Sequence, residues 1–331
     1  PAADEIVRSI TSFALYGFPE SHAASFALLV YASAYLKAHH PAVFVTTLLN
    51  NQPMGFYSPA TLVQDATRHG VEVLPITVTN SDWDCRVVSQ APPVVRLGLR
   101  YVSGLRSEAG HAVAAERRRA PFQSLDDLRR RTGLNRSEAR LLAELGALDV
   151  NQGRESQRRD ALWQVERSWR APGSLYEELP ADDDPVSPLP PMSVGESMLA
   201  DFRNAGLTLG PHPMALRRSE LRQRGIRTAE QIRTLPHGRR VQVAGMVLAR
   251  QRPGTAKGIV FMSLEDETGI VNIIIPSRTF ETQRQVCVSE SVLWIEGTLQ
   301  NRDGVVHVKA SRILPLAGAQ RMPSVASYDF R

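Results

Sequence analysis

The sequence predicts a multidomain α+β chain: a helical amino-terminal region, a tandem pair of helix–turn–helix units, and a carboxy-terminal five-stranded OB-fold β-barrel. Three observations carry that expectation. Between Arg239 and Leu316, three β-rich runs, one helical run and two more β-rich runs follow one another in the OB order. Between Ala23 and His69, apolar residues recur at helical spacing. Between these regions, two glycine-containing turns each lead into a helical run. The expected divisions are a helical domain at 1–80, the tandem units at 81–170, an acidic Pro-rich connector at 171–235, the barrel at 236–316 and a tail at 317–331.

Asp4–Leu15 reads as one helix, ended by Gly17 and Pro19. Ser21 is suited to cap a helix over Ala23–Ala38, where Phe26, Leu29, Val30 and Leu36 recur at helical spacing. Pro41 opens a helix to Asn51, and Ser58-Pro59 opens another to His69. Gly70 closes that helix, and Val71–Leu74 reads as a short buried strand. Phe13, Phe26, Tyr31 and Phe44 are expected in the core. The first turn unit is built on Val102-Ser103-Gly104-Leu105, with Ala109 and Val113 continuing its apolar face. The second runs from Leu134-Asn135-Arg136-Ser137 through Leu141, Leu142 and Leu145 to Gly146-Ala147-Leu148. In the barrel, Arg240–Gln251, Gly258–Glu265 and Ile270–Ile275 read as strands, with a polar turn at Asp266–Gly269. Pro276 stops the sheet, and Ser277–Val286 reads as one helix. Strands Ser291–Leu299 and Val305–Ile313 close the pattern, joined by Asn301-Arg302-Asp303-Gly304; Asp-Gly in that setting is a strong hairpin signal.

Composition narrows the class. The chain has 331 residues, 43% of them hydrophobic, enough for two or three packed domains. Cys85 and Cys287 lie far apart, without paired Cys or His at ligand spacing, which excludes a zinc ribbon and argues for a reducing, cytoplasmic compartment. No apolar run reaches membrane-spanning length, and no charged-then-apolar leader opens the chain. A helix-like pattern is already under way at Pro1, as expected of a piece of something longer. The net charge of +5 is segregated: residues 96–170 carry 16 basic and 10 acidic side chains, 171–203 carry 1 and 7, and 204–331 carry 18 and 10. The only lysines are Lys37, Lys257 and Lys309. Genome composition can produce that arginine bias, but not the segregation.

The tandem units resemble a helix-hairpin-helix pair, in which a glycine turn presents backbone N–H groups at a helix start to a DNA phosphate without reading sequence. Gly104, Leu105, Arg106 and Arg136 are the candidate contacts, with Arg117–Arg119 and Arg129–Arg131 adding attraction. Solvated arginine faces on a plain helical bundle fit the same pattern. OB barrels commonly bind single-stranded nucleic acid, although a barrel used only for packing reads alike. Here the basic candidates are Arg239, Arg240, Arg250, Arg252 and Lys257. Aromatics able to stack bases are few: Phe261, Phe280 and Trp294, with Phe261 equally readable as core.

Longer motifs bring a family into view. Gly17-Phe18-Pro19-Glu20-Ser21-His22-Ala23-Ala24-Ser25-Phe26-Ala27 and Tyr35-Leu36-Lys37-Ala38-His39-His40-Pro41 resemble the fingers region of bacterial C-family DNA polymerases. Gln52–Pro59, Ser81-Asp82-Trp83-Asp84, Gly206–Pro213, Thr255–Phe261 and the closing Asp329-Phe330-Arg331 resemble its error-prone, damage-inducible branch. What is present resembles only the carboxy-terminal third of such an enzyme, beginning in a fingers-like region.

The resemblance implies DNA, duplex and single-stranded, as partner. It also implies that the palm aspartates holding two Mg2+ ions lie upstream, so this chain alone should bind DNA but not extend it. Asp82/Asp84 and Asp182–Asp184 match no palm motif and read as solvated carboxylates. The same resemblance places Ser21 and His22 at the incoming-nucleotide pocket, although Glu20 stands where replicative relatives carry a basic residue. Leu175-Tyr176 occupies the place of a sliding-clamp peptide, without its leading glutamine and with acidic residues following. Recruitment through an inactive Y-family-like protein and a second accessory component is implied as well. The alternative is a free-standing, non-catalytic module that binds DNA or proteins.

Overall fold

The computed structural model describes residues 4–7, 20–54, 57–150, 158–168, 187–302, 304–318 and 328–330. Helix α1 covers residues 4–7, and the remainder of the helix expected to Leu15, with Phe13, lies outside the described residues. Helix α2 spans Glu20–His39. It starts ahead of Ser21, so Ser21 stands in the first turn rather than at the cap. Phe26 and Tyr31 are 48% and 70% exposed, which corrects their expected place in the core, and Leu29, Val30 and Leu36 are exposed too. Helix α2 is apolar on every side, and near its carboxy-terminal end Lys37 pairs with Asp65 of α4 at 2.8 Å.

Proline fixes the backbone for a first helical turn and opens both α3 (Pro41–Asn50) and α4 (Pro59–Arg68). The Ser58 hydroxyl caps α4 by accepting the Thr61 N–H at 3.1 Å. Three short strands follow: β1 (Glu72–Leu74), β2 (Arg86–Gln90) and β3 (Pro93–Arg96), in the order β1–β3–β2. Helices α5 (Ser107–Arg119), α6 (Leu125–Thr132), α7 (Arg136–Glu144), α8 (Arg158–Ser168) and α9 (Val194–Ala205) complete this half. One hydrophobic core joins them, from Ala42 and Leu49 through Leu99, Val113 and Leu142 to Leu207. The division expected at residue 80 therefore runs through the interior of one packed body.

The stretch expected as connector is more ordered than its composition implies. Helix α9 has a Ser193/Glu196 capping box and packs on α7. Asp201 accepts from Arg158 at 2.6 Å and from the Thr208 hydroxyl at 2.7 Å, and Glu196 accepts from Arg159 at 2.6 Å. Acidic residues of the connector thus neutralise arginines of α8. Leu175 and Tyr176 lie outside the described residues, as do Asp182–Asp184.

After α10 (Arg218–Gln223) and α11 (Ala229–Arg233) comes the barrel, β4 (Arg240–Gln251), β5 (Val260–Asp266), β6 (Gly269–Ile275), β7 (Val292–Arg302) and β8 (Val305–Pro315). The order β5–β6–β8–β7–β4 closes by pairing of β4 with β5. Inward residues such as Val243, Leu264, Ile273, Ile295 and Val308 fill the core. The single helix expected at Ser277–Val286 is two, α12 (Ser277–Thr282) and α13 (Arg284–Ser289). They break at Gln283, whose side-chain Oε1 accepts the Ile313 N–H at 2.6 Å and ties the break to β8. The expected tail contains a further strand, β9 (Tyr328–Phe330), parallel to Ala249–Gln251.

The barrel docks on the helical body through buried charge. Arg68 of α4 pairs at 2.5 Å with Glu265 of β5, which is almost fully buried. His212 lies beside that pair, with its Nε2 4.0 Å from Glu265. Its Nδ1 accepts the Met214 N–H at 3.2 Å, which leaves the proton of the neutral ring on Nε2. Burial lowers the His212 pKa from 6.5 to about 4. Between those values the unfolded chain binds a proton that the folded chain refuses, so this contribution is complete above pH 6.5 and is lost as pH falls towards 4. Acidification across that window should cost wild type up to about 3 kcal/mol more than a His212→Gln variant. Parallel stability–pH curves in urea unfolding would refute it.

Candidate nucleic-acid interface

The two hairpin turns come together at their helix starts. Helix α7 begins with the Asn-x-x-Glu pattern of a capping box: Asn135 Oδ1 accepts the Glu138 N–H at 3.0 Å, and Glu138 Oε2 accepts the Asn135 N–H at 2.9 Å. Glu138 also reaches the first hairpin, accepting from the Arg106 backbone N–H at 3.1 Å and from its guanidinium at 2.8 and 3.0 Å. Arg106 is the residue just before α5, so one buried carboxylate fastens the amino-terminal ends of α5 and α7 side by side. Burial disfavours its charge, but the hydrogen bonds from Arg106 and Asn135 outweigh that and hold the Glu138 pKa below the usual range.

Of the amides that open α7, those of Asn135 and Glu138 are satisfied by this box, while those of Arg136 and Ser137 have no protein acceptor among the described residues. Two N–H groups at the positive end of a helix suit a phosphate oxygen pair. Gly133 ends α6 in the left-handed region (φ 65°), which is what turns the chain back into α7.

The hairpin arginines predicted to contact DNA pair with acidic side chains of the chain itself. Arg106 is held by Glu138, and Arg136, together with Arg140, pairs with Glu166 of α8. Arg117 is bound to Asp82 at 2.6 Å, and Arg131 lies over the Phe122 ring and bonds Asp127 at 3.1 Å. Arg117–Arg119 occupy the last turn of α5, the end opposite its hairpin, so they cannot join the phosphate site at the helix starts. Asp82 is half-buried and held by Arg117 and Arg118, whereas Asp84 is exposed, as expected of a solvated carboxylate, with Arg100 at 2.9 Å. Among the described residues no group of three or more His, Cys, Asp or Glu is placed to hold a metal ion. Gly104 has φ +90°, and a Cβ there would meet Leu141 at 3.1 Å, so Gly104→Val perturbs packing as well as any phosphate contact.

On the barrel, alternation settles which residues face outward. Phe261 is 38% exposed, whereas Val260 and Met262 are buried, so its ring lies outside the core. Strand register sets it beside Ile274 of β6, and Ile274 beside Lys309 of β8. The adjacent row is Ser263, Asn272 and His307. Lys309, Asn272 and His307 were not legible as a site because the pairings that align them are non-local. Arg252 sits 5.1 Å over the buried Phe280 ring, and Lys257 holds a left-handed backbone (φ 49°) fastened by the Ser277 hydroxyl to its carbonyl at 2.9 Å. Arg250 instead bonds the carbonyls of Cys287 and Glu290, which close α13, so its guanidinium is committed to the fold. Trp294 is partly buried with Arg312 5.9 Å above it, and Phe280 is in the core. His22, on the first turn of α2, meets Phe26 edge-on at 4.7 Å.

Comparison with known proteins matches both domains. A profile described as a helix-hairpin-helix motif matches residues 70–160, and one described as an OB-fold nucleic acid binding domain matches 241–316. Curated error-prone DNA polymerases align over nearly the whole chain: that of Alkalilimnicola ehrlichii is 44% identical over 99% of this chain and 32% of its own length. Those of Pseudomonas fluorescens and Dechloromonas aromatica are 43% and 45% identical, again over 99% of this chain and 32% and 31% of theirs. Over nearly its whole length the chain is similar to error-prone DNA polymerases. It spans about a third of the length of these relatives.

Proposed function

We propose that this chain is the DNA-holding, carboxy-terminal part of an error-prone translesion polymerase that performs template-directed nucleotidyl transfer during damage-induced repair synthesis. The joined starts of α5 and α7 hold duplex phosphates, and the outer face of the barrel holds single-stranded template. The observation that carries this reading is the outward row Phe261–Ile274–Lys309 with Arg252 and Lys257 at one end: a stacking surface beside positive charge, which single-strand binders require. Magnesium and the acids that hold it belong to the part of the enzyme outside this chain. The exposed apolar α2 supports that division, since a helix apolar on all sides is normally covered, and His22 at its start is assigned to the nucleotide pocket. The clamp contact at Leu175-Tyr176, the Y-family-like and second accessory partners, and a cytoplasmic location follow from the same reading.

The purified chain should bind both duplex and single-stranded DNA and incorporate no nucleotide on a primed template with Mg2+. Affinity for duplex DNA should be independent of sequence and fall steeply with salt, by about −0.9 per phosphate contact in a log–log plot. Salt-insensitive binding, or none, would favour a protein-docking module, and incorporation intrinsic to the chain would overturn the division of labour.

A further inference from the structure

A second basic site lies away from the Phe261 face. A cavity of about 290 Å³ opens at the start of β4, lined by Arg224, Arg227, Arg239, Arg240, Gln242 and Glu296 among others. Local chain geometry brings the four arginines together from two segments. Gly225 (φ +75°) turns the chain sharply after α10, and the Arg227 N–H then donates to the Gln242 carbonyl at 2.8 Å. That bond places 224–227 against the start of β4, which Arg240 begins and Arg239 precedes. Glu296 is the one carboxylate in this wall, and it pairs with Arg240 at 3.1 Å. Arg224 reaches Glu220 at 3.4 Å on the exposed side. Among the described residues, Arg227 and Arg239 have no carboxylate within ion-pair distance. Four arginines line one cavity, and with Arg224 and Arg240 paired to Glu220 and Glu296, Arg227 and Arg239 are left without a carboxylate, so an anion entering the cavity relieves their repulsion. Arginine's planar fork matches a phosphate oxygen pair.

Strand register connects this cavity to the barrel face. Arg240 is opposite Thr298, Thr298 opposite Lys309, Lys309 opposite Ile274, and Ile274 opposite Phe261. Arg240, Thr298, Lys309 and Phe261 are exposed and Ile274 is half-buried, so the row stays open across all five strands. At about 4.8 Å between strands it covers roughly 19 Å of barrel surface.

We propose that the four-arginine pocket binds a backbone phosphate of a single DNA strand that lies on the Phe261 face and follows this row around the barrel. The proposal rests on the single-strand reading of that face but assigns a separate site, and it makes binding depend on strand length.

The test uses the full chain, with fluorescent oligothymidylates of about 4 and about 15 nucleotides and a folded-state check by circular dichroism. The double variant R227E/R239E should weaken the long oligomer at least tenfold, flatten its salt slope by about 0.7 per lost contact, and leave the short one unchanged. Phe261→Ala should weaken both. If R227E/R239E binds the long oligomer as wild type does while Phe261→Ala weakens it, the pocket proposal falls and the barrel-face reading stands. If neither variant changes binding, both fall. Inorganic phosphate alone is the remaining arm: if it raises the melting temperature of wild type but not of R227E/R239E, while DNA binding by the variant is intact, the pocket takes a free anion and the strand path is wrong.

Discussion

Replacing Arg68 with alanine should destabilise the folded chain by about 3–5 kcal/mol, because it leaves the buried carboxylate of Glu265 without its counter-charge. Glu265 projects from β5 into the seam between barrel and helical body, where Ser58, Thr61, Phe202, His212 and Met246 surround a cavity of only about 20 Å³. Burial raises its pKa, and the hydrogen bond and charge of Arg68 pull the other way without cancelling that effect. Removing Arg68 removes the main lowering influence, so the carboxyl pKa rises further in the folded variant. The folded state then binds a proton more tightly than the unfolded chain does, and the penalty should shrink as pH falls through the carboxylate range. A second change, Glu265→Gln, should recover much of the loss at neutral pH by removing the unpaired charge. Urea unfolding of the wild type and the two variants between pH 5 and pH 8 reads this directly; a loss below about 1 kcal/mol for Arg68→Ala, typical of an exposed pair, would refute the buried bridge.

Phe261→Ala should weaken single-stranded DNA binding by about 1–3 kcal/mol, or roughly 5- to 150-fold, the range for losing one stacked base. The barrel offers few other exposed rings, since Phe280 is buried and Trp294 sits partly buried beneath Arg312. One substitution therefore removes most of the stacking available on this face. Its melting temperature should hardly change, because the ring is 38% exposed and outside the core. A core phenylalanine would show the opposite pattern: about 3–5 kcal/mol of stability lost. Fluorescence titration at low salt, alongside thermal melting, separates these outcomes. A variant that binds normally but unfolds early would return Phe261 to a packing role.

Much of the architecture was legible because it rests on local rules. Pro41 and Ser58-Pro59 set helix starts to within a residue, since proline geometry and a hydroxyl cap act over one turn. Strand β4 was readable over its full length, and the closed barrel follows from strand order alone. The break at Gln283 was not readable, because its cause is a hydrogen bond to Ile313, thirty positions away. The strands β2 and β3 were missed as well. They are short, and β3 gains stability by pairing in parallel with β1, more than twenty residues upstream.

Sequence by itself determined that this chain carries a helical body, a paired helix-hairpin-helix and an OB barrel, and it carried the family resemblance that the relatives support. Only the tertiary structure decided which charges are available for DNA. Arg106 looked like a phosphate contact but is bound to Glu138, and Arg250 closes α13; Lys309 and Arg227 drew no attention, yet face outward on the barrel and its arginine pocket. The reason is the range of the forces involved. Caps, turns and periodicity are settled by neighbours within a few residues. Whether an arginine is spent on a carboxylate or left for a phosphate depends on which side chain folding brings within about 4 Å of it, and no local pattern records that distance.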